Sequence, residues 1–101
     1  MTEILKNDDN IVVKPMADIV ASMAEGFRSE LQQLINEEGK DIIIDMDNVE
    51  MIDSVGIGVI IATHNSLNKN GKTLKVINII KDIYTLFTTM RLDRHFEIKC
   101  V

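Results

Sequence analysis

The residue types that could do chemistry gather around one segment. Asp53-Ser54-Val55-Gly56-Ile57-Gly58 sets a hydroxyl beside a carboxylate and ahead of two glycines, just before the apolar run Val59-Ile60-Ile61-Ala62. Each glycine would cost a helix interior about 0.8–1 kcal/mol relative to alanine, so both need a reason. His64 follows, Asp45 and Asp47 precede, and His95 and Cys100 lie far along the chain. Three chemistries are open to this set: a nucleophilic triad on Ser54, a metal-assisted carboxylate cluster, and modification of the Ser54 hydroxyl.

Geometry weighs against the first. If Ser54 and His64 share a helix, ten residues separate them by roughly 15 Å at 1.5 Å per residue, and only His95 could approach through the tertiary fold. The second reading is a metal-binding phosphoaspartate receiver, which needs an acidic pair after an early strand that feeds a crossover helix. Asp8-Asp9 instead sits between two strands, and Asp45, Asp47 and Asp53 read as a solvated loop available to a partner. His64, His95 and Cys100 lack zinc-ligand spacing, and no phosphate-cradling glycine loop is present. No cofactor or metal is expected.

The third reading depends on the elements that hold Ser54. Ile4-Leu5 and Ile11-Val12-Val13 flank the turn formers Asn7-Asp8-Asp9-Asn10, which predicts a hairpin ended by Pro15. Ser22 and Glu25 match a capping box for a helix starting near residue 23. Met23, Phe27, Leu31, Leu34 and Ile35 continue it on one face to Glu38, where Gly39 stops it. Ile42-Ile43-Ile44 reads as a strand covered on both faces at the centre of a sheet. After the loop 47–53 a helix runs from Ser54 to Asn68 on Ile57, Ile60, Ile61 and Leu67, closed by Asn70-Gly71. Thr73 to Ile79 is a further strand. Asp82 caps a third helix with Ile83, Leu86, Phe87 and Met90 on one face, and Phe96-Glu97-Ile98 ends the order β-β-α-β-α-β-α-β. The fold class is α/β with a mixed sheet, because strands alternating with helices favour parallel crossovers.

Ser54 therefore falls at a helix N-terminus, where unpaired N–H groups and the positive end of the helix dipole tolerate a negative group. The hydroxyl is a candidate phosphoacceptor. Ser54 or Asp53 acting only as an N-cap is the alternative. Gly56 and Gly58 would keep the approach low for another protein, or pack closely against the domain's own sheet, and both roles can coexist. Met46 and Met51 flank the loop as candidate adaptable contacts, the other methionines reading as core filling.

These residues carry a resemblance. Ile52 to Val59, after the strand Asp41-Ile42-Ile43-Ile44-Asp45-Met46, resembles the signature of STAS domains, most closely the single-domain anti-sigma factor antagonists. Gly71 to Val76 is similar to that family's next strand, and Leu86-Phe87 through Met90-Arg91-Leu92-Asp93 to its last helix and following turn. One stretch departs from the pattern: where members often carry G-x-[LIV]-[DN], this chain has Lys14 to Val20, with Asp18 in place of the acidic residue. The resemblance implies one STAS domain over residues 1–101 and a partner-switching regulator. Its serine, here Ser54, would be phosphorylated by a serine kinase of the histidine-kinase-like ATPase fold that doubles as an anti-sigma factor, and restored by a metal-dependent serine phosphatase. Asp18, Asp53, Ser54, Val55, Gly56 and Gly58 would form the partner surface, with the added phosphate landing among Asp47, Glu50 and Asp53. A STAS subunit that is never phosphorylated, as in some lipid-transport assemblies, is the other form the family offers.

The bulk numbers fit one compact globular domain. One hundred and one residues suit one domain, and 46% hydrophobic with 27% charged residues suits a globular core. A net charge of −5 gives no field for phosphate backbones or anionic lipid surfaces, and the apolar runs are short of the roughly 20 residues a membrane span requires. With no basic, apolar leader at the start and one cysteine, Cys100, which leaves no internal disulfide, cytoplasmic residence is expected. Cys100 reads as an inert or exposed thiol.

Overall fold

The computed structural model describes residues 2–101. Strand β1 (Glu3–Lys6) runs antiparallel to β2 (Asn10–Lys14), and the turn between them is closed twice. The Asn7 amide N–H donates to the Asn10 carbonyl at 2.8 Å, and its Nδ2 donates to Asn10 Oδ1 at 2.8 Å. Helix α1 (Ala21–Glu38), strand β3 (Asp41–Asp45), helix α2 (Ser54–Lys69), strand β4 (Leu74–Ile79), helix α3 (Lys81–Thr89), a 3₁₀ turn at Leu92–Arg94 and strand β5 (Glu97–Cys100) follow. The α/β class and the element order match the sequence reading.

The strands lie in chain order, β1-β2-β3-β4-β5, parallel from β2 onward. Each crossover therefore steps one strand in the same direction, and right-handed crossovers that all step one way lay their helices on one face. The register records this. Ile11, Ile42 and Leu74 stand side by side, as do Val13, Ile44 and Val76, and all six are buried under the helices. Val12, Ile43 and Lys75 form the intervening row and are half-buried, while Leu5, beside Val12, is 60% exposed. Ile42-Ile43-Ile44 is thus central but covered on one face only, contrary to the sequence expectation. A continuous β-branched run does not distinguish the two cases, because Ile43 borders the aliphatic stem of Lys75 on the open face.

The helix starts also differ in cause. α1 begins at Ala21 after Val20, with no side-chain cap of its own, so Ser22 lies inside the first turn and the Ser22–Glu25 capping box does not form. Asp82 lies in the first turn of α3 behind Ile80, where its charge interacts favourably with the positive end of the helix dipole rather than capping. The C-terminal signals held: Gly39 and Gly71 adopt φ +61° and +70°, conformations glycine takes without Cβ strain.

α3 covers less of the core than its sequence suggests. Ile83 and Phe87 are buried, whereas Leu86 and Met90 are 36% and 44% exposed, because a nine-residue helix at the sheet edge meets it along a narrow stripe. Urea denaturation should find Phe87→Ala destabilising by about 3–5 kcal/mol, and Leu86→Ala by less than about 1 kcal/mol.

Candidate functional site

All three helices start at the C-terminal ends of parallel strands, which brings the segment after β2 against the loop after β3. Ile19 and Ile52 form a parallel bridge. The Ile19 N–H donates to the Met51 carbonyl at 3.0 Å, and the Asp53 N–H donates to the Ile19 carbonyl at 3.2 Å. Asp18 adds a second tie, its Oδ1 accepting from the backbone N–H groups of Glu50 at 2.9 Å and Met51 at 3.1 Å. Loop 47–53 is therefore pinned by backbone and carboxylate together, not left as a solvated excursion.

Asp53 completes the clamp. Its Oδ1 accepts from the Gly56 N–H at 2.9 Å, capping α2, and its Oδ2 accepts from the Ala21 N–H at 2.9 Å, capping α1. One carboxylate thus satisfies an orphan donor on each of two helices. The Gly56 amide first, and the Ala21 amide second, hold its pKa below the ordinary carboxylate value, since both bonds favour the ionised form. The cap is Asp53 and not Ser54.

Ser54 is consequently the first residue of α2 and is exposed. Among the described residues its hydroxyl makes no hydrogen bond to protein. Val55 is 48% exposed and Met51 58% exposed on either side of it. Met46 is fully buried, so it serves the core and only Met51 of the two methionines is available to a partner. The two glycines divide the roles left open by the sequence. A Cβ on Gly56 would collide with the Ile19 carbonyl and lie 2.9 Å from Ile19 Cγ2 and Ile52 Cγ1, whereas one on Gly58 would meet nothing within 4 Å. Gly56 permits the close approach of the Ile19 segment; Gly58 lines an open groove between α1 and α2 with Ala24, Arg28 and Val55.

The remaining carboxylates separate. Asp45 Oδ1 accepts from the Asp47 N–H at 3.0 Å and from Asn78 Nδ2 at 2.9 Å, and Asp47 Oδ2 lies 3.8 Å from Lys14 Nζ. Asn78 reaches Asp45 from a left-handed conformation, φ 57°, beside the irregularity in the β4–β5 register. Among the described residues no three His, Cys, Asp or Glu side chains are grouped to hold a metal ion. His64 packs against Phe96 and His95, with ring centroids 5.4 Å and 6.0 Å away, and forms no triad with Ser54. Cys100 is exposed.

Sequence reading did not find the parts played by Ile19 and Ala21, because both act through backbone groups 32 or more residues from their partners. Asp18 was found as an acidic residue of the site; its work on the Glu50 and Met51 amides was not.

The STAS domain family profile matches residues 1–100. The chain belongs to that family. It is 31% identical over 85 residues to the anti-sigma-B factor antagonist of Bacillus subtilis, an alignment covering 84% of this chain and 77% of that protein. Its fold superposes on an anti-sigma factor antagonist from Mycobacterium paratuberculosis with a TM-score of 0.88 at 21% identity, covering 100% and 86% of the two chains. It also superposes on the Bacillus cell fate determinant SpoIIAA in the phosphorylated form, with a TM-score of 0.78 at 14% identity and 97% and 90% coverage. Among the described residues no helix is long and apolar enough to cross a membrane.

Two predictions follow from this geometry. Gly56→Ala should destabilise by about 1–3 kcal/mol through overpacking, while Gly58→Ala should stabilise by about 0.5–1 kcal/mol through helix propensity, both read from urea midpoints. Because the folded-state pKa of Asp53 is depressed, its stabilising contribution is complete above the unfolded value of about 3.9 and is lost as pH falls below it. Thermal melts should therefore show wild type losing more stability than Asp53→Asn on acidification through that range.

Proposed function

We propose that the chain is a single-domain, cytoplasmic, non-catalytic regulator of the anti-sigma factor antagonist type, switched by reversible phosphorylation of Ser54. Unphosphorylated, it binds a serine kinase of the histidine-kinase-like ATPase fold that doubles as an anti-sigma factor. A metal-dependent serine phosphatase returns the modified form to the binding state. Asp53, Ser54, Val55, Gly58 and Asp18 make up the partner surface, Asp18 by setting the loop, and Gly56 by allowing Ile19 to approach.

The observation that carries this reading is the exposed, unengaged Ser54 hydroxyl on a helix already capped by its neighbour. Because Asp53 makes the cap, modifying Ser54 removes no hydrogen bond from the helix start. A phosphoryl group adds roughly −1.5 to −2 charge at neutral pH, and the helix N-terminus partly compensates it. The same charge stands next to the ionised Asp53 and between the exposed Met51 and Val55, so it opposes desolvation of a partner face while leaving the fold intact. The kinship with an anti-sigma-B factor antagonist and the likeness in fold to a relative described in a phosphorylated form support it.

Intact-mass measurement of the protein from its own cells, with peptide mapping, should find a species heavier by one phosphoryl group, confined to the Ser54 peptide. Ser54→Ala should retain the kinase partner, and Ser54→Asp should bind it at least about tenfold more weakly, the range of a like-charge juxtaposition. A protein that stays unmodified in every growth condition, with Ser54→Asp binding as wild type, would replace the switch with a constitutive subunit.

A further inference from the structure

Beside the C-terminal half of α2 lies a cleft that the Ser54 reading does not use. His64 and Asn68 on α2, Lys72 on the turn that follows, Lys75 on β4 and His95 line one cleft of about 290 Å³. The chain as a whole is acidic, at net −5, whereas Lys72 brings a positive charge to this cleft beside two imidazoles. Lys75 and Glu97 direct their charged ends to the open face of the sheet, where Glu97 is engaged by Lys75 at 3.4 Å and Lys99 at 3.6 Å. Lys72 is half-buried, and among the described residues no carboxylate lies within ion-pair distance of it.

His64 supplies the directional element. Its Nδ1 is buried without a hydrogen-bond partner, and a buried polar atom left so requires an explanation. A bare lone pair is the less costly way to leave it, which puts the imidazole proton on Nε2. Nε2 is not among the buried orphans and makes no hydrogen bond to protein among the described residues, so its N–H is free to donate to a ligand. The His95 ring stands 6.0 Å away.

We infer that this cleft binds a small anion bearing a phosphoryl group, held by His64 Nε2, Lys72 and His95. The chemistry matches on charge, on donor type and on size, since the volume sits at the small end of ligand pockets and suits a phosphate or a compact phosphate monoester. Ser54 is ten residues away on the same helix, about 15 Å, so the cleft is separate from the phosphoacceptor and does not depend on its modification. Burial first, and the charge of His95 second, hold the His64 pKa below its ordinary value; a bound anion reverses the second influence and favours the protonated ring.

The test is a heteronuclear NMR titration of the full chain with inorganic phosphate and, separately, glycerol phosphate, each against sodium chloride at matched ionic strength. Saturable shifts confined to His64, Asn68, Lys72, Thr73 and His95, with the His64 ring titrating at higher pH when the anion is present, are expected. Lys72→Ala and His95→Gln should each weaken binding about tenfold, as expected for losing a hydrogen bond to a charged group, while Lys69→Ala should bind as wild type. Binding of the monoester alone would identify a phosphorylated metabolite, and equal binding of both would identify free phosphate as sufficient. Shifts reproduced by sodium chloride, no saturable shift with either probe, or unchanged affinity in Lys72→Ala and His95→Gln would overturn the proposal.

Discussion

The two oxygens of Asp53 hold the domain's working end together. Oδ1 takes the Gly56 amide of its own helix, and Oδ2 takes the Ala21 amide of a helix whose first residue is 32 positions earlier. An amide at a helix start has no intrahelical acceptor, so a shared carboxylate does for two helices what two separate caps would otherwise do. One side chain thereby ties the start of α1 to the start of α2. The depressed pKa of Asp53 belongs to the same fact, since its charge is stabilised by the groups it organises.

Around that carboxylate the other contacts become dependent on one another. Gly56 lets the Ile19 backbone lie against α2; Ile19 in turn bridges Ile52 and bonds the Met51 carbonyl. Asp18 holds the two amides just before. A side chain at position 56 or the loss of Asp53 would disturb the same junction by different routes. Ser54 sits next to this network and outside it. A charge added to its hydroxyl changes the surface electrostatically without removing a bond on which the fold rests, which is the physical requirement for a switch that leaves the protein folded.

What the sequence made legible was local or periodic. The apolar runs of β2 and β3, the start of α2, and the glycines at 39 and 71 were all readable, because each reflects a property of residues near one another. The errors share the opposite character. Ser22 with Glu25 had the composition of a capping box, but Asp53 satisfied the Ala21 amide across the fold and the helix started earlier. Ile42-Ile43-Ile44 did not reveal which face was open, since that depends on the direction in which the crossovers wind. Met46 and Met51 looked alike beside the loop; one turned inward to the core and the other outward. At the site the residue types were visible and their division of labour was not. Asp53 as the cap of both helices and Gly56 as the packing glycine were separated from Ser54 and Gly58 by the tertiary contacts of Ala21 and Ile19.

Asp53 bonds first-turn amides of α1 and α2 without using the Ser54 hydroxyl. Amide hydrogen exchange, compared residue by residue between the unmodified protein and the protein phosphorylated at Ser54, measures this directly through the Ala21 and Gly56 amides that Asp53 binds. Equal protection of both amides in the two forms is the predicted result. Loss of protection at Ala21 and Gly56 on phosphorylation would show that the phosphate competes for or repels the Asp53 clamp, and that the switch works by opening the fold rather than by charging its surface.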